Sequence, residues 1–354
     1  MKFVEVGGAR LSAIGLGTWQ FGSTEWGYGK DYASGEAGVI VKRALELGVN
    51  LIDTAEVYGL GRSERIVGEA IRGQREKVFL ATKLFPIGLP FQVEGRARAR
   101  AKRLGVDRLD LYQLHWPSWL FPPRSTMPRM KRLVDSGRVS HVGVSNHSLT
   151  QWQAAESALG GPVLSNQVPF SLIVRAPEHE LLPWAQREGR VIIAYSPLGQ
   201  GLLSGKYQKM PPRNFRRARR AFSAQSRQRL QPLVDALGEI GARHGATNSQ
   251  VALAWLIRKP NVVAIPGASN VRQLEENVAA VDVELSDDDD ARLTALALSA
   301  GELHPPGEPA DPRSRRAVSH QAAARGAVRD VLRDPDRARH PPVEGEDERW
   351  RRLG

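Results

Sequence analysis

The sequence predicts an α/β fold, namely a (β/α)8 barrel, or TIM barrel, preceded by a β-hairpin and followed by a tail. Two observations predict the barrel. Apolar runs of strand length alternate with stretches of helical periodicity from residue 14 to about residue 280, which is typical of repeated βα units around a parallel sheet. Eight such runs can be counted, and eight βα units in a chain of 354 residues favour a closed barrel.

The elements are predicted in order along the chain. Residues 3–12 have the pattern of a β-hairpin, with Gly7 and Gly8 at its turn. The eight barrel strands are expected near residues 14–17, 50–53, 78–82, 109–114, 141–145, 163–166, 191–195 and 262–265. Periodicity between the strands predicts amphipathic helices at residues 35–47, 63–71 and 248–258, the first two of which begin with residues suited to helix starts. We therefore expect one barrel domain over residues 1–300.

The tail, residues 301–354, differs in composition from the barrel. Proline, arginine, alanine and acidic residues dominate, and Trp350 is its only aromatic residue. We expect the tail to be disordered, with at most a weak helix over residues 317–334, because it has too few large apolar side chains to form a core. A shifted reading frame is an alternative origin of this segment, which the sequence leaves open.

The composition excludes several classes of protein. The chain has no cysteine, so it has no disulfide framework, thiolate nucleophile or cysteine-ligated metal centre, and no metal site is predicted. No run approaches the roughly 20 apolar residues of a membrane helix. The N-terminus lacks the features of a secretory signal, so a cytoplasmic location is expected and no membrane partner. The sequence does not indicate an oligomeric state.

The net charge of +12 raises the question of a nucleic-acid partner. Its most concentrated part is a cluster of arginines in a Pro- and Arg-rich stretch, Arg213, Arg216, Arg217, Arg219 and Arg220. No zinc-finger spacing, recognition helix or aromatic nucleic-acid motif accompanies it, so no nucleic acid is expected as partner. A solvated basic loop is the simpler interpretation, and a DNA-binding arm is the alternative.

Four titratable residues lie at or just after the ends of three successive predicted strands. Asp53 ends one strand, Tyr58 follows five residues later, Lys83 ends the next strand, and His115 ends the third. In a barrel of this kind, catalytic groups gather at the C-terminal ends of the strands and in the loops that follow. A phenol, an ammonium, a carboxylate and an imidazole brought together there suggest proton-transfer chemistry.

Several longer motifs accompany these four residues. They are GLGTW at 15–19, GVSN at 143–146, SNQ at 165–167, YSPLGQG at 195–201 with SGK at 204–206, and IPGAS at 265–269 followed by Gln273, Glu276 and Asn277. With them, the segment from about residue 6 to about residue 296 resembles the aldo-keto reductase superfamily. The resemblance is to its bacterial members, and the segment is similar to the potassium-channel β-subunit branch. The resemblance implies that the hairpin closes the bottom of the barrel.

The resemblance also implies an activity and a catalytic tetrad, Asp53, Tyr58, Lys83 and His115. Members of the superfamily reduce an aldehyde or ketone to an alcohol with a nicotinamide cofactor. Tyr58 would donate the proton, Lys83 would stabilise the phenolate, Asp53 would hold the lysine, and His115 would orient the carbonyl substrate. An alternative function is a cofactor-binding module that senses redox state with little turnover. A third possibility is an inactive product, if the tail disturbs the last helices of the barrel.

The cofactor must be held without the usual dinucleotide fingerprint, because no strand is followed by GxGxxG. The segment from Gly199 to Tyr207 resembles a phosphate loop, but its spacing is one residue too long and Tyr207 replaces the required Ser or Thr, which excludes nucleotide triphosphate hydrolysis. The resemblance implies these cofactor-binding residues: Thr18, Trp19, Ser145, Asn146, Gln167, Tyr195, Ser196, Pro197, Leu198, Gly201, Lys206, Gly267, Ser269, Arg272, Gln273, Glu276 and Asn277.

The residue types suit their implied tasks. Tyr195 would stack on the nicotinamide, amide side chains would meet its carboxamide, and Lys206 would meet the pyrophosphate. The arginine cluster lies where a family loop often folds over the dinucleotide. Ser269, Arg272 and Gln273 lie at a predicted helix start and offer donors for a 2′-phosphate, which favours NADPH over NADH. One departure is Asn270, where many relatives have a basic residue.

Overall fold

The computed structural model describes residues 1–22, 35–209, 220–301 and 303. Its strands are β1 (Phe3–Val6), β2 (Ala9–Ser12), β3 (Leu16–Gly17), β4 (Leu51–Asp53), β5 (Phe79–Leu84), β6 (Leu109–Leu114), β7 (Val139–Ser145), β8 (Val163–Pro169), β9 (Val191–Tyr195) and β10 (Val262–Ala264). Its α-helices are α1 (Glu36–Glu46), α2 (Arg62–Ala70), α3 (Val93–Leu104), α4 (Pro123–Asp135), α5 (Leu149–Leu159), α6 (Leu181–Arg187), α7 (Lys206–Lys209), α8 (Ala224–His244), α9 (Asn248–Ile257), α10 (Val271–Val278) and α11 (Asp287–Ala300).

Strands β3 to β10 form one parallel sheet in which sequence order is spatial order. The first and last strands also meet, through parallel bridges that pair Ile14 with Ala264 and Gly17 with Gly267. The amide of Gly15 donates to the carbonyl of Ala264 at 2.7 Å at this seam. The sheet is therefore a closed eight-stranded barrel, and the predicted (β/α)8 fold is confirmed.

The predicted N-terminal hairpin is also present. Strands β1 and β2 pair antiparallel, and the turn is made by Gly7 and Gly8, whose φ angles of 55° and 78° suit a residue without a Cβ. Asn50, the residue before β4, accepts from the amide of Ser12 at 2.7 Å and donates to the carbonyl of Arg10 at 2.8 Å. The hairpin therefore covers the N-terminal end of the barrel, and the opposite end carries the loops that follow the strands.

The core has two layers. Inside the barrel, side chains such as Leu51, Leu111 and Ile193 pack against Leu11 of the hairpin. The larger layer lies between the barrel wall and the helices, as where α1 buries Ile40 and Ala44, four residues apart on one face. The strands are buried on both faces, which is why they appear in the sequence as short continuous apolar runs.

The barrel ends close to the start of the tail. Met1–Leu303 form one compact unit, in which Leu303 is buried and its amide donates to the carbonyl of Ile173 at 2.9 Å. The disorder expected for the tail and the weak helix expected at residues 317–334 lie outside the described residues, as do the cluster members Arg213, Arg216, Arg217 and Arg219. Among the described helices, none is long and apolar enough to cross a membrane.

Candidate active site

Three of the four predicted catalytic residues are placed by the barrel itself. Asp53 is the last residue of β4, Lys83 is the next-to-last residue of β5, and His115 directly follows β6. These strands are neighbours, so their C-terminal ends lie side by side. Tyr58 comes from the loop between β4 and α2. The structure therefore brings the four residues to the end of the barrel that the hairpin leaves open.

Lys83 is the centre of this group. Its Nζ donates to Asp53 Oδ1 at 2.5 Å, to the carbonyl of Thr54 at 3.0 Å and to Tyr58 Oη at 3.1 Å. An ammonium has three protons, and these three acceptors account for all of them. Lys83 is fully buried and Asp53 is 2% exposed, so the pair is shielded from solvent. The three side chains form a rigid array that aims the ammonium at the phenol.

Burial and charge act in opposite directions on the protonation of this array. Burial raises the pKa of Tyr58, and the nearby charge of Lys83 opposes that rise. Burial alone would lower the pKa of Lys83, but Asp53 and Tyr58 together hold it above its usual value. At neutral pH the phenol is therefore protonated and the amine is charged. Lys83 stabilises the phenolate if the proton leaves.

His115 faces the same phenol. Its ring lies edge-on to Tyr58 and to Phe85, with centroid distances of 6.0 and 5.8 Å, and it stacks on Trp116 at 6.3 Å. Burial, and then the charge of Lys83, lower the pKa of His115, so its imidazole is neutral at neutral pH. Its Nδ1 is buried, and no group in the described part of the chain hydrogen-bonds to it. A neutral imidazole beside the phenol can donate one hydrogen bond to a substrate oxygen from a ring N–H.

The second oxygen of Asp53 is held by amide side chains inside the barrel. Gln167 Nε2 donates to Asp53 Oδ2 at 2.8 Å, and Gln113 Nε2 lies 3.5 Å from the same atom. Ser165 Oγ donates to Gln113 Oε1 at 3.3 Å. Gln113 was not predicted as a site residue. Its one sequence signal is a polar side chain within the apolar run of β6.

Beside this layer, three of the predicted cofactor-binding residues form a chain of hydrogen bonds. Tyr195 Oη donates to Asn146 Oδ1 at 3.0 Å, and Asn146 Nδ2 donates to Ser145 Oγ at 3.0 Å and to the carbonyl of His115 at 3.1 Å. Asn146 and Ser196 adopt left-handed backbone, with φ angles of 62° and 50°. Strained non-glycine residues of this kind are concentrated at functional sites.

Thr18 and Trp19 approach from the turn after β3. The hydroxyl of Thr18 donates to the carbonyl of Asp53 at 2.8 Å and lies 2.7 Å from Ser63 Oγ, which anchors the turn to the end of β4. The Trp19 ring is 41% exposed, with its centroid 6.5 Å from that of Tyr58. Trp19 thus forms part of the wall around the phenol.

The segment after β9 carries Pro197, Leu198, Gly201 and Lys206. Gly201 has a φ of 98°, and a Cβ there would lie 3.0 Å from Lys206 Cε, so glycine allows the lysine stem to approach the backbone. Lys206 Nζ lies over the ring of Tyr207, 4.8 Å from its centroid. A cation beside a glycine turn at the start of α7 has the chemistry of a phosphate-binding segment.

The segment after β10 begins helix α10. Asn270 caps this helix by accepting from the amide of Gln273 at 2.9 Å, and Gln273 Oε1 accepts from the amide of Ser269 at 2.9 Å. Arg272 is exposed on the first turn. The departure at Asn270 thus has a structural reason, because a basic residue could not accept this capping hydrogen bond.

Three further residues border this segment. Asn277 is buried, and its Nδ2 lies 3.4 Å from the carbonyl of Gly267. Glu276 accepts from Thr247 Oγ1 at 2.8 Å. Gln20, which was not predicted, donates to the carbonyl of Ala268 at 2.8 Å and joins this segment to the turn of Trp19. The predicted site residues therefore lie at the ends of the barrel strands or in the segments that follow them, all at the open end of the barrel.

Comparisons with known proteins identify the family of the chain. Residues 13–298 match the model of the Aldo/keto reductase family. An uncharacterized oxidoreductase of Mycobacterium bovis is 51% identical over 300 residues, which cover 84% of this chain and 93% of that protein. The methylglyoxal reductase YeaE of Escherichia coli is 36% identical over 283 residues, covering 79% of this chain and 89% of that protein.

A solved structure extends the likeness to three dimensions. The aldo-keto reductase of Klebsiella pneumoniae in complex with NADPH superposes with a TM-score of 0.68 at 33% identity, covering 86% of this chain and 96% of that one. The family match spans more than half of the chain, and the relatives are matched over most of their length. The chain therefore belongs to the aldo/keto reductase family and is an enzyme of that family.

Proposed function

We propose that the protein reduces an aldehyde or ketone to an alcohol with NADPH, with Tyr58 as the proton donor. The observation that carries this proposal is the buried ammonium of Lys83, which hydrogen-bonds both Asp53 and the phenol of Tyr58 at the open end of the barrel. A phenol beside a buried cation is a group that can release a proton to a developing alkoxide.

The chain's own residues supply the proton and polarise the substrate. Because burial keeps Tyr58 protonated at neutral pH, the phenol is in the form that a reduction requires. As its proton moves to the carbonyl oxygen, the negative charge left on Tyr58 Oη is stabilised by Lys83, 3.1 Å away. His115, neutral and edge-on to the phenol, orients the carbonyl by a hydrogen bond from its ring.

The cofactor supplies the hydride, which no side chain can donate. The chemical groups of the residues at the site suit a nicotinamide dinucleotide. Tyr195 offers a flat ring, Asn146 and Gln167 offer amide groups beside the tetrad, and Gly201 with Lys206 offers a backbone turn next to a cation. The left-handed backbone of Ser196, within the same segment, supports a functional role for it. Ser145, Pro197 and Leu198 complete the proposed nicotinamide and pyrophosphate contacts.

The preference for NADPH rests on the start of α10. Arg272 is exposed on the first turn, beside Ser269 and Gln273, and a 2′-phosphate there would meet a cation and the positive end of a helix dipole. Glu276 and Asn277, one turn further on, are proposed to face the adenine. The NADPH complex of the Klebsiella pneumoniae relative supports the same choice.

A cofactor-oxidation assay tests the proposed function. The purified protein is mixed with NADPH and a panel of aliphatic and aromatic aldehydes and ketones, and the absorbance of the reduced cofactor is followed. We expect substrate-dependent oxidation with at least one member of the panel. Tight cofactor binding without turnover on any carbonyl would contradict the reductase and favour the redox-sensing alternative.

A further inference from the structure

A buried cluster of charged residues, which none of the proposed steps uses, lies beside the site. Glu56 is located between Asp53 and Tyr58 in the chain, and its side chain is 10% exposed. It forms ion pairs with Arg96 and Arg100 of helix α3. We call these three residues the Glu56 cluster. The two arginines are four residues apart, so they lie on one face of the helix.

The Glu56 cluster binds both the backbone amide and the backbone carbonyl of Phe85. Glu56 Oε1 accepts from the amide of Phe85 at 2.6 Å, and Arg96 Nη2 donates to the carbonyl of Phe85 at 2.8 Å. Arg96 Nη1 donates further to the carbonyl of Ile87 at 2.6 Å. The loop that follows β5 is therefore fixed to the loop that carries Tyr58 through charged hydrogen bonds.

These contacts reach three members of the tetrad indirectly. Phe85 is two residues beyond Lys83, and its ring packs edge-on against His115 at 5.8 Å. Glu56 is two residues before Tyr58. The contact between Phe85 and Glu56 therefore fixes the positions of the phenol, the ammonium and the imidazole relative to one another. The Glu56 cluster does this without contacting the reacting atoms.

Removing one charged partner of the Glu56 cluster should destabilise the loops around it. The side chains of Arg96 and Arg100 are 18% and 8% exposed, and Arg100 also lies 3.4 Å from Glu64, which pairs with Arg103. Buried guanidinium groups that lose their carboxylate are left with uncompensated charge, and the surrounding loops must move to reach solvent. Loss of the Glu56 charge should therefore displace the Tyr58 loop rather than leave it in place.

We propose that Glu56 is a positioning residue for the reduction, because through Arg96 and Phe85 it fixes the Tyr58 loop relative to Lys83 and His115. The inference rests on the proposed function. Misplacement of a reacting group by about 1 Å can cost about a hundredfold in rate. Turnover should therefore be lost, while cofactor affinity should be unaffected because the proposed cofactor-binding residues lie on other strands.

Two variants test the proposal. Glu56→Gln removes the charge but keeps the shape, and Arg96→Lys keeps the charge but loses the planar group that bonds Phe85 and Ile87. The matched control is Glu94→Gln, because Glu94 lies on the same helix and pairs with Arg129 and Arg132, away from Phe85. For each protein we would measure kcat, KM for the carbonyl, cofactor affinity by fluorescence, and Tm.

We expect kcat to fall about ten- to a hundredfold in Glu56→Gln and Arg96→Lys, with cofactor affinity within about twofold of the unmutated protein. Glu94→Gln should keep its kcat. Unchanged kcat in Arg96→Lys, or a parallel loss of kcat and cofactor affinity, would overturn the positioning role. If Glu56→Gln does not fold, Arg96→Lys decides the question.

Tyr58→Phe is assayed alongside these variants to separate the two proposals. If Tyr58→Phe loses turnover while Glu56→Gln and Arg96→Lys keep it, only the positioning role is overturned. If Tyr58→Phe keeps turnover, the proposed function and the positioning role that rests on it both fail.

Discussion

The ammonium of Lys83 lies 3.1 Å from the phenolic oxygen of Tyr58, and both groups are held at the open end of the barrel. This contact affects the balance between the neutral phenol and the phenolate of Tyr58. Burial favours the neutral phenol, whereas Lys83 favours the phenolate. Together they give a group that is protonated at neutral pH and can still release its proton when a carbonyl oxygen gains charge.

Replacing Lys83 should therefore change the pH dependence as well as the rate. In the reverse direction, alcohol oxidation requires the phenolate, so its rate should rise with pH as Tyr58 loses its proton. Lys83→Met removes the charge that holds the pKa of Tyr58 down against burial. We expect the rise to move to higher pH and kcat at pH 7 to fall about a hundredfold. Rates of oxidation measured across the pH range would show this shift.

The control for this experiment is Lys77→Met, which removes an exposed lysine in the turn before β5. It should leave both the rate and the pH profile unchanged. An unshifted profile in Lys83→Met would mean that another group takes up the proton.

The cofactor preference depends on Arg272. A charge-assisted hydrogen bond contributes about 1.5 to 3 kcal/mol, which corresponds to roughly a ten- to hundredfold preference for NADPH over NADH. Arg272→Ala should reduce this ratio while leaving the affinity for NADH nearly unchanged. Fluorescence titration of both cofactors measures it, with the exposed Arg187→Ala on α6 as control. Equal affinities in the unmutated protein would contradict the proposed phosphate contact.

The end of the barrel domain can be tested by two truncations. The sequence predicts the domain to end at residue 300, but Leu303 is buried and hydrogen-bonded to Ile173. Burial of a leucine contributes about 1.5 to 3 kcal/mol, so a chain ending at Ala300 should melt about 2 to 5 °C lower than one ending at Leu303. We expect the chain ending at Leu303 to melt like the whole protein. Equal melting temperatures for the two truncations would contradict a structural role for Leu303.

Much of the fold could be predicted because barrel strands are buried on both faces and form short apolar runs. Their ends were less predictable. Strand β7 begins at Val139, two residues before the predicted start, because Val139 pairs with Leu109 across the sheet. Strand β8 continues to Pro169, beyond its apolar part, because Gln167 and Pro169 still pair with β9. Pairing with neighbours, which is not encoded locally, determines these ends.

In the candidate site, too, some residues could be predicted from the sequence and others could not. Asp53, Lys83 and His115 could be found because strand ends converge in a barrel. The Glu56 cluster was not predicted, since α3 is rich in arginine and a charged helix is usually solvated. Only the packing of α3 against the loops reveals which arginines are buried. The cytoplasmic location and the contact of the arginine cluster around residue 216 with the dinucleotide stay predictions.

The turnover of Tyr58→Phe tests the proposed proton donor most directly. The substitution removes only the phenolic oxygen, and the ring can still pack beside Trp19 and His115. We expect kcat for carbonyl reduction to fall at least about a hundredfold, the usual scale of general-acid catalysis, with NADPH affinity nearly unchanged. Turnover close to that of the unmutated protein would contradict the assignment of Tyr58 as the proton donor.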